Sequence, residues 1–298
     1  MNQHAAPLAL TGATGFVGRR VLALANRPLR ALTRRPQPPT PGVEWVTGDL
    51  NDTAALARLC DGAAAVLHIA GVVNADAAGF HAGNVTGTAN VLAAAAQVPR
   101  FVHVSSLAAR EPGLSLYGAS KADGDRQVQS RAGDWVIVRP PGVYGPGDAE
   151  MRDLFAAARL GLGVAPGHRD ARISLIHVDD LARALLALAD GGPSGEILEI
   201  DDGAGASGGY GHAGFARAIG AALGRRVAVL PVPGGLLRGL AGSRLIAKLT
   251  PDRARYLVHP DWVARGGNAR LAGHWQPQID LATGLADTVR DYRARGWL

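Results

Sequence analysis

The sequence predicts an α/β protein: a doubly wound parallel sheet followed by a smaller, mostly helical C-terminal lobe. Short apolar runs alternate with helix-compatible stretches from Pro7 to about Arg139. The runs are almost continuously apolar instead of alternating, the pattern of strands buried on both faces. A glycine-rich turn joins the first run to the first helix, where a doubly wound (Rossmann) sheet receives its ligand.

The runs are "PLALTG", "LRALTRR", "VEWVTGDL", "AAVLHIAG", "RFVHVSS" and "DWVIVRPPG", and the stretches between them that fit helices are 16–25, 53–60, 84–97 and 118–131. Open sheets of this kind hold ligands at the carboxyl ends of their strands, so the residues just after each run are the place to look for chemistry. Past about residue 145 the alternation weakens. A helix at 150–160, a strand "RISLIHV", a helix "DDLARALLALAD" and a strand "EILEI" are expected. A Gly-rich loop from Gly203 to Gly214 reads as a flexible connection, and a mainly helical remainder is broken by Pro231, Pro233, Pro251 and Pro260. The expected division is a dinucleotide-binding domain over 1–145, to which later strands can return, and a substrate-binding lobe over 146–298.

Composition narrows the function classes. The chain has 298 residues, of which 47% are apolar and 19% charged, enough for a substantial core and too few charges for disorder. No apolar run is long enough to span a bilayer, and residues 1–7 lead into the first strand without a basic or cleavable start, so a cytoplasmic protein is expected. A single cysteine, Cys60, excludes an internal disulfide and a Cys-cluster metal site. The net charge of +6 is carried by arginines scattered along the chain, and aromatics are only 5%, which argues against stacking platforms for nucleic acid.

The strongest motif is "LTGATGFVGRRVLALA", with Gly12, Gly15 and Gly18 after a strand and opening a helix. A pyrophosphate turn requires a glycine for the bend, a second for close backbone approach and a third for helix–strand packing. Thr14, Phe16 and Val17 share that turn. At the end of the second strand an acidic residue would accept from a ribose 2′-hydroxyl, whereas arginine suits a 2′-phosphate. The sequence there reads "ALTRRP", so Arg34 and Arg35 favour NADP, with NAD the alternative.

Taken in order, "TGATGFVG", "GDL" (48–50), "HIAG" (68–71), "NVTGTANVL" (84–92), "VHVSS" (102–106), "YGASK" (117–121), "RPPGVYGPGD" (139–148) and "IHVDDLARAL" (176–185) resemble the extended short-chain dehydrogenase/reductase superfamily. The type is that of the NAD-dependent epimerases and dehydratases. The resemblance implies Ser106, Tyr117 and Lys121 as the catalytic set. Tyr117 would exchange a proton with the substrate oxygen, Lys121 would bind the nicotinamide ribose and lower the tyrosine's pKa together with the oxidised nicotinamide, and Ser106 would hydrogen-bond the same oxygen, with Ser105 its neighbouring competitor. Ser105, Tyr117 and Lys121 are also expected among the cofactor contacts. Four residues apart, Tyr117 and Lys121 share a helix face. The resemblance also places Asp49 and Leu50 beside the adenine, and Ala70 and Gly71 on the path to the nicotinamide. Asn84 would support the active-site helix, and Pro140, Gly142 and Val143 would pass the nicotinamide amide. His68, His103 and His177 read as packed strand residues, and no metal is assigned.

Two departures from the sugar-nucleotide enzymes are visible. Only "LAAREPGLSL" separates Ser106 from Tyr117, and Ile173 stands where those enzymes place a phosphate-binding arginine, with Arg172 one residue out of register and hence on the opposite strand face. The expected activity is therefore reduction of a ketone, or oxidation of the alcohol, on an apolar, lipid- or steroid-like small molecule. A sugar-nucleotide epimerase or dehydratase with tightly bound NAD, and a non-catalytic NADP-binding regulator or assembly factor, are the alternatives. The segment "PVPGGLLRGLAGSRLIAKLT" sets Leu236, Leu237, Leu240, Leu245, Ile246 and Leu249 among Arg238, Arg244 and Lys248. A helix pair packing on the lobe accounts for it, and weak contact with anionic lipid is the alternative. A monomer or homodimer is expected.

Overall fold

The structure, a computed structural model, describes residues 6–242 and 249–298 and divides into two compact units. The first comprises residues 1–139, 181–199 and 267–276. Its strands are β1 (Leu8–Thr11), β2 (Leu29–Thr33), β3 (Val43–Thr47), β4 (Ala65–His68), β5 (Arg100–Val104) and β6 (Asp134–Arg139). The helices among them are α1 (Phe16–Leu24), α2 (Thr53–Cys60), α3 (Ala77–Phe80), α4 (Gly87–Ala94) and α5 (Leu116–Gln129). A seventh strand, Glu196–Glu199, pairs with β6 and completes a parallel sheet in which β6, β5, β4, β1, β2 and β3 follow it in order.

β1, β4 and β5 are buried along their whole length, as their unbroken apolar character requires of strands covered on both sides. On one face, Leu56, Leu59, Val91, Val98, Phe101 and Val128 pack with Val66 and Ile137 into one core. Strand order reverses between β1 and β4, which opens a crevice at their carboxyl ends. There Gly12 takes φ +74°, and a Cβ on it would lie 2.7 Å from the Ala70 nitrogen. A Cβ on Gly18 would lie 2.1 Å from the Gly12 carbonyl oxygen, so only glycine lets α1 pack this closely on its strand.

The expected helix over 84–97 instead begins as α3 and continues through a π-helical turn, His81–Thr86, into α4. Asp76 starts it by accepting from the Gly79 amide at 2.8 Å.

The second unit comprises residues 140–180, 200–266 and 277–298. It is mixed, where a mostly helical lobe was expected. Strands Gly142–Tyr144 and Leu175–His177 pair in parallel, as do Leu162–Pro166 and Ala228–Val232. Tyr210–Gly211, Arg172–Ile173 and Asp261–Trp262 form a third small sheet. Strands of two to five residues carry little periodicity, so long-range pairing decided them. "RISLIHV" is interrupted at Ser174, whose hydroxyl donates to Asp201 at 2.6 Å and accepts from the Ala264 amide at 3.0 Å. The Gly-rich stretch after it is held in place. Asp201 accepts from the Gly203 and Gly205 amides, Asp202 from the Ala204 amide and the Tyr210 hydroxyl, and a 3-10 turn forms at Ala204–Ser207. Leu245, Ile246, Arg244 and Lys248 lie outside the described residues.

Arg100, buried at the start of β5, grips Asp134 with bonds of 2.7 and 2.6 Å and donates to the carbonyls of Leu188, Gly191 and Pro193. These partners all lie in the first unit, where Arg100 closes the carboxyl end of helix Val178–Asp190. Replacing it by methionine strands several carbonyls, so Arg100→Met is expected to lose about 2–3 kcal/mol of stability, read from urea unfolding.

Candidate active site

The positions predicted from the first five strands fall in the first unit, at or just after strand ends or on helix α5. Gly15 is the N-cap of α1 and offers no side chain to cap it, and the first turn of α1 holds no acidic residue. Its amides are thus left for an anion, the arrangement that suits a pyrophosphate. Thr14, Phe16 and Val17 surround that turn and stay partly or fully exposed.

Arg34 and Arg35 follow β2, both exposed and with no carboxylate partner among the described residues. Thr33 fixes their turn: its hydroxyl donates to the Arg35 carbonyl at 2.7 Å and accepts from the Arg35 amide at 3.3 Å. Asp49 and Leu50 follow β3. Asp49 accepts from the Asn51 amide at 2.8 Å, and the Leu50 carbonyl accepts from Asn90 at 2.8 Å. Pro140, Gly142 and Val143 belong to the second unit, where the strand Gly142–Tyr144 pairs Gly142 with Leu175 and Val143 with Ile176.

Ala70 and Gly71 follow β4, and a relay of polar groups holds that end in place. The Ala70 amide donates to Thr11 Oγ1 at 3.2 Å, and Thr11 Oγ1 lies 2.7 Å from His68 Nδ1. His68 Nε2 lies 3.1 Å from Thr88 Oγ1, which donates to the Asn84 carbonyl at 2.8 Å. Because the Thr88 proton is spent on that carbonyl, His68 must donate from Nε2 and accept at Nδ1. Burial first, then the Lys121 charge, pushes His68 down to about 3, so the ring stays neutral in this role. His103 stacks on it at 5.3 Å and is likewise driven well below its ordinary value by burial.

Asn84 carries the relay to the active-site helix. Its amide group donates to Ser120 Oγ and the Val72 carbonyl, each at 2.9 Å, and its oxygen accepts from the Val72 amide at 2.7 Å. It sits in the π-helical turn, a distortion often found where a side chain must be aimed. α5 comes close because Gly124 has no side chain; a Cβ there would lie 2.9 Å from the Asn84 carbonyl oxygen.

Ser106, Tyr117 and Lys121 are brought together in the same unit. Ser106 caps the 3-10 turn after β5, accepting from the Ala108 amide at 3.2 Å, and also hydrogen-bonds the Tyr117 side chain. The Ser105 hydroxyl is buried and has no hydrogen-bond partner among the described residues. Tyr117 leans on Phe80 with ring centroids 5.9 Å apart. Burial pushes its hydroxyl above the usual phenol value, the Ser106 bond opposes that, and the Asp125 charge adds to it. Within the chain alone, therefore, Tyr117 is held protonated, the reverse of the depression the resemblance implies with oxidised nicotinamide present.

Lys121 is buried and donates to the Val104 carbonyl at 2.7 Å; a Cβ on Gly71 would come within 3.6 Å of its Nζ. Burial lowers its pKa to about 8, and Asp125 works against that shift. Asp125, one further turn along α5, is clamped by Arg139 at 2.9 and 2.8 Å and lies 3.6 Å from His103 Nε2. Asp125, Arg139, Thr11, Thr88 and Ser120 were not singled out from the sequence. Asp125 had a signal, because it stands four residues after Lys121 on the same helix face.

The sequence profile of the NAD-dependent epimerase/dehydratase family matches residues 8–201. The chain belongs to this family, the extended short-chain dehydrogenases/reductases. Membership makes it a nicotinamide-dependent oxidoreductase, and the glycine turn and uncapped α1 terminus fit such a dinucleotide. Among its relatives is the ceramide reductase of Caulobacter vibrioides, 39% identical over 310 aligned positions that cover 98% of this chain and 96% of that protein. A second is the 4-hydroxy-2-methyl-3-oxo-4-farnesyl-3,4-dihydroquinoline-1-oxide ketoreductase of Stigmatella aurantiaca, 31% identical over 226 positions, 65% of this chain and 68% of that protein. Two solved structures share the fold. WbmH of Bordetella bronchiseptica in complex with NAD+ has a TM-score of 0.75 and 18% identity, covering 98% of this chain and 100% of that one. The human epimerase family protein SDR39U1 with NADPH has a TM-score of 0.73 and 20% identity, covering 96% of this chain and 99% of that one. Among the described residues no helix is long and apolar enough to cross a membrane.

The buried lysine gives the candidate site a pH signature. Between about 8 and 10.5 Lys121 is neutral when folded and charged when unfolded, so the unfolded state binds the extra proton and stability rises with pH across that window. Cys60, raised by burial from 9.0 to about 11, pulls the opposite way, so the comparison must be with a variant. In cofactor-free protein, wild type minus Lys121→Met is expected to gain on the order of 3 kcal/mol from pH 8 to 10.5, measured by denaturant unfolding.

Proposed function

We propose that the protein is an NADP-dependent reductase of a ketone carried on a lipid-like molecule of the ceramide class. The observation that carries this reading is the Tyr117 side chain hydrogen-bonded to Ser106, one helical turn from a buried Lys121 whose Nζ donates to the Val104 carbonyl at 2.7 Å. The 39% identity to a ceramide reductase over nearly the whole chain supports the substrate class.

The bound dinucleotide supplies the hydride equivalent that reduces the substrate carbonyl carbon. Ser106 holds and polarises the carbonyl oxygen. Tyr117 gives that oxygen its proton as negative charge develops, so acid catalysis and charge stabilisation act on one atom. Lys121, fixed by Val104, supplies positive charge beside the tyrosine at the moment the phenolate forms, and Asp125 keeps that lysine protonated near neutral pH. A donor held protonated by burial suits reduction, because it enters the reaction with its proton in place. Thr14, Phe16, Val17, Asp49, Leu50, Ala70, Gly71, Ser105, Pro140, Gly142 and Val143 are assigned to the dinucleotide, and substrate recognition to the second unit.

The cofactor assignment rests on Arg34 and Arg35 at the end of β2, exposed and with no carboxylate partner among the described residues. NADPH is expected to bind more tightly than NADH, by about tenfold or more, and the Arg34→Ala/Arg35→Ala double variant to abolish the difference. Fluorescence titration of both cofactors measures it, and equal wild-type affinities would remove NADP from the reading.

Turnover of a ceramide-class keto lipid in detergent micelles, followed as NADPH oxidation, tests the activity itself. Tyr117→Phe removes one hydroxyl and keeps the ring, so cofactor affinity should survive while turnover drops by roughly two orders of magnitude or more. An undiminished rate in that variant would defeat the mechanism. Tight NADPH binding with no turnover of any ketone offered would point to a non-catalytic binding role.

A further inference from the structure

We propose that the exposed face of the two-stranded sheet Leu162–Pro166 and Ala228–Val232 is a docking surface for an anionic lipid bilayer. Parallel pairing sets Leu162 opposite Ala228 and Val164 opposite Leu230, so these side chains share one face. The opposite face is closed: a Cβ on Gly163 would meet Ala216 and Val227, with helix His212–Ala222 lying against it. Among the described residues the first face has no such cover. Leu162 is 46% exposed, Val164 42% and Leu230 54%, and Leu160, in the turn before the first strand, is 75% exposed. Isolated exposed leucines are ordinary, whereas several on one small sheet face mark a contact surface.

Charge identifies the occupant. From Gly203 to Pro251 the sequence has six basic residues and no Asp or Glu, and from Leu154 to Arg169 it again has none. The two stretches meet here, because the Ala228 amide donates to the Gly161 carbonyl at 2.8 Å. Arg159 and Leu160 therefore stand beside Arg225 and Arg226 at the start of the paired strands. Arg159, Arg225 and Arg226 are exposed, and no carboxylate pairs with them among the described residues, whereas Arg27, Arg30 and Arg100 in the first unit each hold a carboxylate. Unpaired arginines at the rim of an apolar face match a leaflet of anionic headgroups above acyl chains. A second copy fits less well, since a twofold contact through this face would bring the arginines of both copies into one interface. Nucleic acid would use the arginines and leave the leucines idle. The inference does not depend on the identity of the substrate. It is separate from the lipid contact expected as an alternative for the 236–249 segment.

Co-sedimentation of the full chain with vesicles tests it. The protein should pellet with vesicles of equal parts phosphatidylglycerol and phosphatidylcholine and stay in solution with phosphatidylcholine alone. Arg225→Glu/Arg226→Glu and, separately, Leu162→Ser/Leu230→Ser should each weaken partitioning by about tenfold or more, with unchanged circular dichroism and unfolding midpoint. Absence of a preference for the anionic vesicles overturns the proposal. So does binding that survives the Leu→Ser changes with equal retention on duplex DNA, which would assign the patch to nucleic acid. A concentration-dependent dimer abolished by the Leu→Ser changes would assign it to a second copy and overturn the proposal equally.

Discussion

A lysine ammonium buried in the first unit is the constraint around which the candidate site is built. Lys121 has left water for a position where one carbonyl, Val104, accepts from it at 2.7 Å. A buried cation needs a countercharge, and the countercharge needs its own partners. Asp125 supplies the first from the next turn of α5, and Arg139 at the end of β6 holds Asp125 in turn. Helix α5 is thereby tied to two neighbouring strands by charge as well as by packing. Apolar burial alone would leave the helix free to slide or rotate by small amounts, and a hydrogen-bonded chain of charges does not tolerate that.

The second set of ties is neutral, and it depends on the same burial. His68 and His103 sit deep enough, and close enough to Lys121, to remain uncharged. Neutrality lets His68 accept from Thr11 on one side and donate to Thr88 on the other, linking the end of β1 to α4 and, through Asn84, to Ser120 on α5. The glycine turn expected to hold the pyrophosphate and the helix that carries Tyr117 and Lys121 thus share one hydrogen-bond path. Their relative positions are set before any ligand arrives, which is how a site limits the reorganisation that accompanies chemistry. The cost is borne by backbone geometry, with a π-helical turn at Asn84 and glycines at 12, 18 and 124 where no side chain fits.

The second unit shows the other use of glycine and aspartate. Its Gly-rich stretch has the composition of a loose connection, yet Asp201 and Asp202 thread it with side-chain bonds to backbone amides. Composition describes what a segment can do in isolation, and Asx-type bonds from residues just before it decide what it does in the fold.

The sequence by itself determined the sheet, the glycine turn and the family, because each rests on short-range chemistry. Unbroken apolar runs specify strands buried on both sides, and Gly12, Gly15 and Gly18 stand where a strand turns into a helix. The spacing of Tyr117 and Lys121 is likewise local, since four residues bring two side chains to one helix face. Tertiary structure decided what the sequence could not weigh: that Ser106 rather than Ser105 reaches Tyr117, and that Thr11, Thr88, Ser120 and Arg139 support the site. It also decided the short strands of the second unit and the meeting of two acid-free stretches on one sheet. These features join residues far apart in the chain through single hydrogen bonds or pairings of a few residues. No periodicity records such contacts, and only the folded backbone brings their partners within reach.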